Sequence, residues 1–343
     1  MGRTGGGMSD VADVTVMQSF RAPRATSNPY IHMLDEALST TPGLDHRHFS
    51  WRTALFGRVD VLHVHWPEIF LEGRTWAHRL WRRSRFQLLL WKLAVMRTPI
   101  VRTVHNLELP SGLGRWDRRM LTHVRDRASM NIALNPLTST PGRTSVILHG
   151  HYIDWFAGMP RHTAESGRIA FVGLVRRYKG IESLIDAYTQ LREHDPTVSI
   201  EISGRPTSAS MAEEISARAS VVPGLTLRLD YLSEPDYAEA VTCASLVVLP
   251  YIHMHNSGSV LAALSLDRPV LVPDNDVNRA LSAEVGAGWV HLFEGTVSAS
   301  DIEAAIGAGV PATPPDLSQR GWRETGIAHL TAYRAAVAGR SRR

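Results

Sequence analysis

The chain has 343 residues, of which 44% are hydrophobic and 20% are charged, and its formal net charge is +4. This length exceeds what one hydrophobic core normally supports, so we expect two domains, and the ordinary composition excludes large-scale disorder. The single cysteine excludes an intramolecular disulfide, and no apolar run approaches the roughly 20 residues that span a bilayer.

In the first half, short apolar runs alternate with helix-length segments. The sequence predicts a helix over residues 29–39 and strands over residues 11–17, 59–64, 100–104 and 130–134. No apolar stretch follows the glycine-rich start, so we expect no signal peptide and a cytoplasmic location.

Residues 74–97 form a basic and aromatic segment. They include seven arginines or lysines and no acidic residue, with tryptophans and leucines between the charges. This composition is typical of an interfacial helix or helix pair. We therefore expect peripheral contact with an anionic membrane surface, at the inner face of the cell membrane. The interleaved apolar residues argue against a nucleic acid as the partner of this segment.

The second half repeats the alternation of strands and helices. Strands are predicted over residues 168–172, 198–202, 225–229, 246–249 and 269–272, and helices over residues 180–191, 210–219, 234–244 and 259–266. Such alternation predicts an α/β protein with two doubly wound parallel sheets. We expect a first domain over residues 1–150, a linker over 151–166, a second domain over 167–315, and a C-terminal helix within 316–343 that can cross back to the first domain.

A glycine turn follows the first strand of the second half. The strand over residues 169–172 leads into Gly173-Leu-Val-Arg-Arg-Tyr-Lys-Gly180 and then into an amphipathic helix. Backbone N–H groups at a helix start, together with Arg176 and Lys179, suit a diphosphate. An ordinary strand-to-helix turn with solvated basic residues is the alternative.

A second helix start of the same kind follows the strand that ends near Tyr251. It is opened by Asn256, Ser257, Gly258 and Ser259, whose side chains and N–H groups suit a phosphate or a ribose. Simple helix capping is the alternative role. Two such helix starts in one parallel sheet predict a nucleotide crevice at the carboxyl ends of its strands.

Residues 167–309 resemble the donor domain of GT-B glycosyltransferases. The loop with Gly173, Arg176 and Lys179 is similar to their diphosphate loop, Gly204 to their second strand end, and the loop containing Tyr231 to the one near the base. The first half is similar to the acceptor domain of family-four-like enzymes, in segments that contain Asn28, His65 and His105.

The resemblance implies the GT-B fold, with two Rossmann-like domains facing a cleft, and its details are similar to bacterial exopolysaccharide mannosyltransferases, including β-mannosyltransferases. It implies transfer of a hexose, with mannose from GDP-mannose as the first choice, to a polyprenyl-linked or other glycan acceptor during surface polysaccharide or glycolipid assembly. A non-catalytic nucleotide-sugar binding protein is one alternative. A Rossmann oxidoreductase is another, and it is disfavoured because no G-x-G-x-x-G motif follows a strand.

The chain departs from the family at a pair of carboxylates. Many retaining GT-B enzymes carry two glutamates eight residues apart around the second helix start, where this sequence has Met254 and Ala262. This leaves two alternatives, a variant branch that uses Asn256 and Ser257 instead, or a degraded site. The departure leaves retention or inversion of configuration open.

Two residues of the first half are candidates for the catalytic machinery. The resemblance implies that His105 contacts the donor sugar, and it implies acceptor contacts for Asn28 and His65. An inverting displacement needs a carboxylate base, for which Glu68 is the first choice and Glu108 and Asp154 are alternatives. In a retaining enzyme Glu68 would bind the acceptor instead.

Paired histidines raise the question of a metal. Four His-x-His pairs occur, in which both side chains fall on one side of an extended segment: His46/His48, His63/His65, His149/His151 and His253/His255. No third ligand recurs at a fixed spacing, and a diphosphate site built from arginine and lysine needs no cation. We therefore expect no metal and no cofactor beyond the nucleotide-sugar substrate.

Overall fold

The structure is a computed structural model that describes residues 13–73, 75–110 and 112–340. The chain divides into two compact units, one formed by Met1–His149 with Trp322–Arg343 and the other by Gly150–Gly321. Arg74, the first residue of the basic segment, and residues 11 and 12 of the first predicted strand lie outside the described residues.

The first unit is built on a six-stranded sheet in which every described pairing is parallel. Its order is β2-β1-β3-β4-β5-β6. The strands are β1 (Val14–Gln18), β2 (Leu44–Arg47), β3 (Val61–Val64), β4 (Ile100–Val104), β5 (Ala128–Ala133) and β6 (Thr144–Val146). The central strands are buried on both faces and are rich in valine and isoleucine, as parallel strands covered by helices require.

Four helices of this unit connect the strands. They are α1 (Pro29–Ser39), α2 (Trp51–Phe56), α3 (Trp76–Val95) and α4 (Arg115–Arg127). The core between α3, α4 and the sheet contains Phe70, Phe86, Leu89 and Leu121. The basic segment is therefore one long helix whose inner face is held by this core.

The second unit contains another six-stranded parallel sheet, with the order β12-β11-β10-β7-β8-β9. Its strands are β7 (Arg168–Val172), β8 (Ser199–Ser203), β9 (Leu225–Arg228), β10 (Leu246–Val248), β11 (Val270–Pro273) and β12 (Val290–Phe293). Its helices are α5 (Ile181–His194), α6 (Ala209–Ala219), α7 (Glu234–Cys243), α8 (Gly258–Ser265), α9 (Asp276–Val285) and α10 (Ala299–Ala308). Two doubly wound parallel sheets confirm the predicted α/β class.

The segment over residues 151–166, for which the sequence predicts a linker, lies within the second unit. The Tyr152 N–H donates to the hydroxyl of Ser265 at 2.9 Å, and the Phe156 ring stacks on Tyr237 with 5.8 Å between centroids. After the second unit the chain returns to the first as α11 (Trp322–Arg340), which packs against α1 and the strands of the first sheet.

Each sheet has one point where the strand order reverses. The reversal lies between β1 and β3 in the first sheet and between β7 and β10 in the second. In open α/β sheets, connections leave these two strands towards opposite faces, which opens a crevice at their carboxyl ends. Residues that follow β3 and β4 in the first unit, and residues that follow β7 and β10 in the second unit, are therefore the candidate functional residues, and each group is described within its own unit.

Candidate active site

Two glycines allow a close approach of backbones in the second unit. Gly173 follows β7 with a φ of 139°, and Gly204 follows β8 with a φ of 143°. A Cβ atom on Gly204 would collide with the carbonyl oxygen of Gly173, so this position accepts only glycine without a shift of the chain. The predicted Gly204 thus has a steric reason to be glycine, whatever it binds.

Lys179 lies against the same turn. A Cβ atom built on Gly173 would be 3.1 Å from Nζ of Lys179 and 3.7 Å from Oγ of Ser259. The structure thus brings together three predicted donor-binding residues from the ends of two strands. Lys179 is only 7% exposed, and its Nζ lies 4.7 Å from the centre of the Tyr251 ring. Burial lowers the pKa of this ammonium to about 8, because the charged form loses its hydration.

The second predicted helix start is α8. Ser257 is its N-cap, with Oγ accepting from the N–H of Val260 at 3.4 Å, and Gly258 is its first residue. Ser259 Oγ lies 3.4 Å from the phenol of Tyr251, and Asn256 is half-buried. Capping and phosphate recognition are compatible here, because one side-chain cap leaves further N–H groups of the first turn for an anion.

Two further donor-site candidates are exposed. Arg176 precedes a single 3-10 turn, Arg177–Lys179, and its charge helps to lower the pKa of Lys179, after the larger effect of burial. Tyr231, in the loop between β9 and α7, is 62% exposed. Their roles in binding remain predictions.

The positions of the absent glutamates hold two apolar side chains, Met254 and Ala262. Ala262 is buried within α8, and the sulfur of Met254 accepts from the Asn278 amide at 3.4 Å. Asn275, the N-cap of α9, donates its amide to the carbonyl of Met254 at 3.1 Å. Hydrogen bonds from Asn275 and Asn278 to Met254 therefore hold the loop before α8 against α9. Sequence reasoning missed them because it predicted no helix at α9, although a polar cap preceding an acidic first turn was a usable signal.

In the first unit, histidines cluster after β3 and β4. Nδ1 of His65 lies 3.1 Å from Nε2 of His105, and the indole of Trp66 stacks on His105 with 3.8 Å between ring centroids and 16° between planes. Trp66 takes a left-handed φ of 43°, which is uncommon for a bulky residue and is found mostly where surrounding contacts impose it. Burial lowers the pKa of His105 well below its usual range, so the ring is neutral.

The two predicted catalytic residues line one small cavity. It has a volume of about 30 Å³ and is bordered by His105, Glu68, Arg102 and the alternative base Glu108. Glu68 lies in the 3-10 turn Pro67–Phe70, and burial raises the pKa of its carboxyl above the usual value, while Arg102 partly opposes that shift. Asp154, the other alternative, belongs to the second unit.

The two predicted acceptor residues differ in their surroundings. Asn28 is exposed and caps α1, with Oδ1 accepting from the Tyr30 N–H at 2.9 Å. His65 is 1% exposed and contacts His105. Tyr30, for which the sequence predicts no role of its own, has a ring centroid that lies 5.4 Å from that of His105. No periodicity signals this contact, since α1 and β4 meet only through the topology of the sheet.

Asp35, His46 and His48 are the group that has metal-ligand proximity within the described part of the chain. Both Nε2 atoms lie near one oxygen of the Asp35 carboxyl, at 2.6 Å for His46 and 2.7 Å for His48. These contacts are satisfied as hydrogen bonds from two imidazoles to one carboxylate. The expectation of a metal-free enzyme stays a prediction.

The outer face of α3 is apolar and basic. Trp76, Trp81 and Trp91 are 74%, 53% and 62% exposed. Two basic side chains of the segment bond within the protein: Arg83 pairs with Asp117 at 2.6 Å, and Lys92 donates to carbonyls of α2 and its C-cap. No described helix has the length and hydropathy of a membrane span.

Comparison with known proteins places these features in a family. Residues 166–305 match the family described as "Glycosyl transferases group 1". The chain is 40% identical over 328 residues to a protein of Xanthomonas campestris pv. campestris named GDP-mannose:glycolipid 4-beta-D-mannosyltransferase, covering 94% of this chain and 93% of the relative.

Solved structures show the same fold at low identity. Anabaena Alr3699/HepE in complex with UDP-glucose aligns with a TM-score of 0.59 at 14% identity, over 96% of this chain and 97% of that one. AviGT4, a glycosyltransferase involved in Avilamycin A biosynthesis, aligns with a TM-score of 0.59 at 14% identity, over 95% and 98%.

Proposed function

The chain belongs to the group 1 family of glycosyltransferases and is a hexosyltransferase with the GT-B fold, and on that premise we propose that it transfers mannose from GDP-mannose to a glycolipid. The observation that carries the proposal is the meeting of Gly173, Lys179 and Ser259 where the strand order of the second sheet reverses. The relative of 40% identity is named for this donor and this class of acceptor.

Lys179 and the start of α8 stabilise the leaving diphosphate in this proposal. Negative charge builds up on the diphosphate as the bond to the sugar breaks, and a buried ammonium stabilises such charge more strongly than an exposed one. Arg176 adds a second cation from the exposed edge of the turn. Because these groups supply positive charge, the proposed mechanism uses no metal.

Inversion at the anomeric carbon follows if the product is a β-mannoside, as in the relative's name. The mannosyl bond in GDP-mannose is α, so one displacement yields the β product and requires a base for the acceptor hydroxyl. Glu68 is our candidate, since burial raises the pKa of its carboxyl towards the working range of a general base and it lines the same cavity as His105.

The outer face of α3 is the part of the chain that we assign to an anionic membrane surface. A cavity of about 520 Å³ opens on this face beside Leu88, Trp91 and Trp116. Exposed tryptophans next to arginine side chains are typical of helices that lie in the lipid headgroup layer. A glycolipid acceptor is presented at such a surface.

A transfer assay tests the proposal. The purified chain is incubated with radiolabelled GDP-mannose and bacterial glycolipid extract, and with UDP-glucose and GDP-glucose as matched donors. We expect label from GDP-mannose in the lipid fraction, joined through a β linkage by NMR. Binding of GDP without transfer to any glycolipid would favour the non-catalytic nucleotide-sugar binding protein, and efficient transfer from UDP-glucose alone would overturn the choice of donor.

A further inference from the structure

The contact between His65 and His105 restricts which ring nitrogen of each imidazole carries its proton. His65 Nδ1 and His105 Nε2 lie 3.1 Å apart, so one nitrogen donates and the other accepts. A neutral imidazole has one N–H and one lone pair, and the atom chosen for this contact fixes the role of the other nitrogen in the same ring.

Both rings are neutral in this environment. His65 is buried and His105 is half-buried under Trp66, and loss of hydration lowers the pKa of His65 to about 3 and that of His105 well below its usual range. Each ring therefore has a single proton to place. Two arrangements remain, with the hydrogen bond running from His65 to His105 or in the opposite direction.

The second nitrogen of His65 distinguishes the two arrangements. His65 Nε2 is buried and has no hydrogen-bond partner among the described residues. If His105 donated to His65, the proton of His65 would lie on Nε2, as a buried N–H without an acceptor, and such orphaned donors are rare in proteins. If His65 donates from Nδ1, its Nε2 carries only a lone pair without a partner. A buried acceptor without a partner is better tolerated than a buried N–H without one.

The backbone of His65 is fixed in place for this role. Its N–H donates to Oγ of Ser19 at 2.7 Å, and the Ser19 hydroxyl donates to the His65 carbonyl at 3.0 Å. Trp66 stacks on the face of His105 and limits rotation of that ring. The two imidazoles thus follow directly after the paired strands β3 and β4, and the backbone of His65 is bonded to the residue that follows β1.

We propose that His65 is a positioning residue that donates from Nδ1 to Nε2 of His105 and holds His105 as the Nδ1–H tautomer. Resting on the proposed function, this inference makes Nδ1 the proton-bearing nitrogen of His105 during transfer. It also withdraws His105 from acting as a base through Nε2, which leaves proton removal to Glu68.

Nitrogen NMR of the full chain reads the tautomer without any substrate. The imidazole nitrogens are labelled with ¹⁵N, and the signals of His65 and His105 are assigned by their loss in His65→Asn and His105→Gln. We expect both rings to show a protonated Nδ1 and an unprotonated Nε2 at pH 7. A protonated Nε2 on His105, or a charged ring, overturns the proposal.

Two variants of His65 separate positioning from packing. His65→Asn places an amide donor near the position of Nδ1, so we expect the His105 tautomer to be kept and kcat to fall by no more than about threefold. His65→Leu fills the space without a donor, so we expect His105 to populate the Nε2–H form and kcat to fall roughly tenfold with KM nearly unchanged, as for the loss of one hydrogen bond.

The exposed His123→Gln serves as a control that leaves both readouts unchanged. Equal kcat values for His65→Asn and His65→Leu would overturn a role for the donor. If His65→Leu does not fold, the parent spectrum and His65→Asn still decide the question. A chain that transfers no sugar but shows the Nδ1–H tautomer refutes the proposed function alone, and an active chain with the other tautomer refutes this inference alone.

Discussion

The phenol oxygen of Tyr333 lies 2.7 Å from Nδ1 of His63, which bonds the last helix, α11, to strand β3. Both side chains are fully buried. Gln18 donates its amide to the same phenol at 3.2 Å, and Nε2 of His63 lies 2.8 Å from the hydroxyl of Thr103. A chain of polar groups therefore crosses the apolar interior of the first unit.

Removing the phenol breaks this network. Tyr333→Phe leaves His63 Nδ1 and the Gln18 amide without their partner in a buried place, which costs about 1–3 kcal/mol of the free energy of unfolding. We expect the Tm of the first unit to fall by several degrees in calorimetry. Tyr231→Phe is the matched control, since that side chain is 62% exposed, and it leaves the Tm unchanged. Equal Tm values for Tyr333→Phe and the parent would contradict the network.

Lys179 is expected to bind the diphosphate, and burial of its charge is expected to lower the free energy of unfolding. Lys179→Met should weaken binding of GDP roughly ten- to a hundredfold in calorimetry, because a charged hydrogen bond is lost, while binding of guanosine stays the same. Arg176→Met is the companion variant at the exposed edge of the turn. If both variants bind GDP as tightly as the parent, the diphosphate is held elsewhere.

The lowered pKa of Lys179 sets a pH dependence. Affinity for GDP should fall as the pH rises through about 8, where the free site loses its proton, and Lys179→Met should lack this part of the profile. Because the folded pKa lies below the unfolded value, burial destabilises the fold below pH 8, and this penalty disappears between pH 8 and about 10.4. Lys179→Met should therefore be more stable than the parent at pH 7, by up to roughly 3 kcal/mol, and equally stable near pH 10.5.

Glu68 is expected to act as the base. Glu68→Gln keeps the shape of the side chain and removes its ability to accept a proton, so kcat should fall about 10²–10⁴-fold with a small effect on KM. Since burial raises its pKa, kcat of the parent should be lost on acidification earlier than for an ordinary carboxylate. Glu108→Gln, in the same cavity, is the matched control. A larger loss for Glu108→Gln would move the role of base to that residue.

Gly204 tests the close backbone approach. Gly204→Ala should lower the Tm of the second unit and weaken GDP binding, because the new Cβ meets the Gly173 carbonyl. Gly295→Ala is the control, since Gly295 also has a positive φ, of 66°, but open space around its Cα. A loss of Tm for Gly295→Ala as large as that for Gly204→Ala would contradict a special steric requirement at Gly204.

The outer face of α3 is tested with vesicles. Trp81→Ser with Trp91→Ser should reduce sedimentation with phosphatidylglycerol vesicles at least tenfold, because two exposed indoles leave the headgroup layer. Ile327→Ser, on α11, is the control for loss of an exposed apolar side chain. These variants spare Arg83, whose pair with Asp117 holds α3 against α4. Unchanged sedimentation of the double variant would exclude this face as the membrane contact.

Strands of the two sheet centres could be predicted from sequence because they are short apolar runs between polar segments. Ile100–Val104 and Arg168–Val172 match the predicted bounds. The edge strands β2 and β6 were missed, since one side of each is unpaired and their residues are polar and partly exposed. Helix α4 was missed as well, because charges dominate it and only Asp117, Met120, Leu121 and Val124 are buried.

The candidate site was predictable in part for the same physical reason. Glycines, a lysine and cap residues at strand ends mark the turn with Gly173 and Lys179 and the start of α8. The contact between His65 and His105 could not be predicted, because it joins two strands through their register in the sheet. The burial that shifts the pKa of Lys179 likewise depends on packing that the motif does not specify.

The first unit is discontinuous, since the whole second unit is inserted between residues 149 and 322. During synthesis on a ribosome, the second unit is therefore complete before α11 emerges, and it can fold first even though it follows in sequence. Until α11 has been synthesised, His63 and Gln18 lack their hydrogen-bond partner, the phenol of Tyr333. The first unit therefore cannot complete its polar network before the end of synthesis. A chaperone that recognises nascent chains would have most to protect in residues 13–149, in contrast to the usual order in which the N-terminal domain folds first.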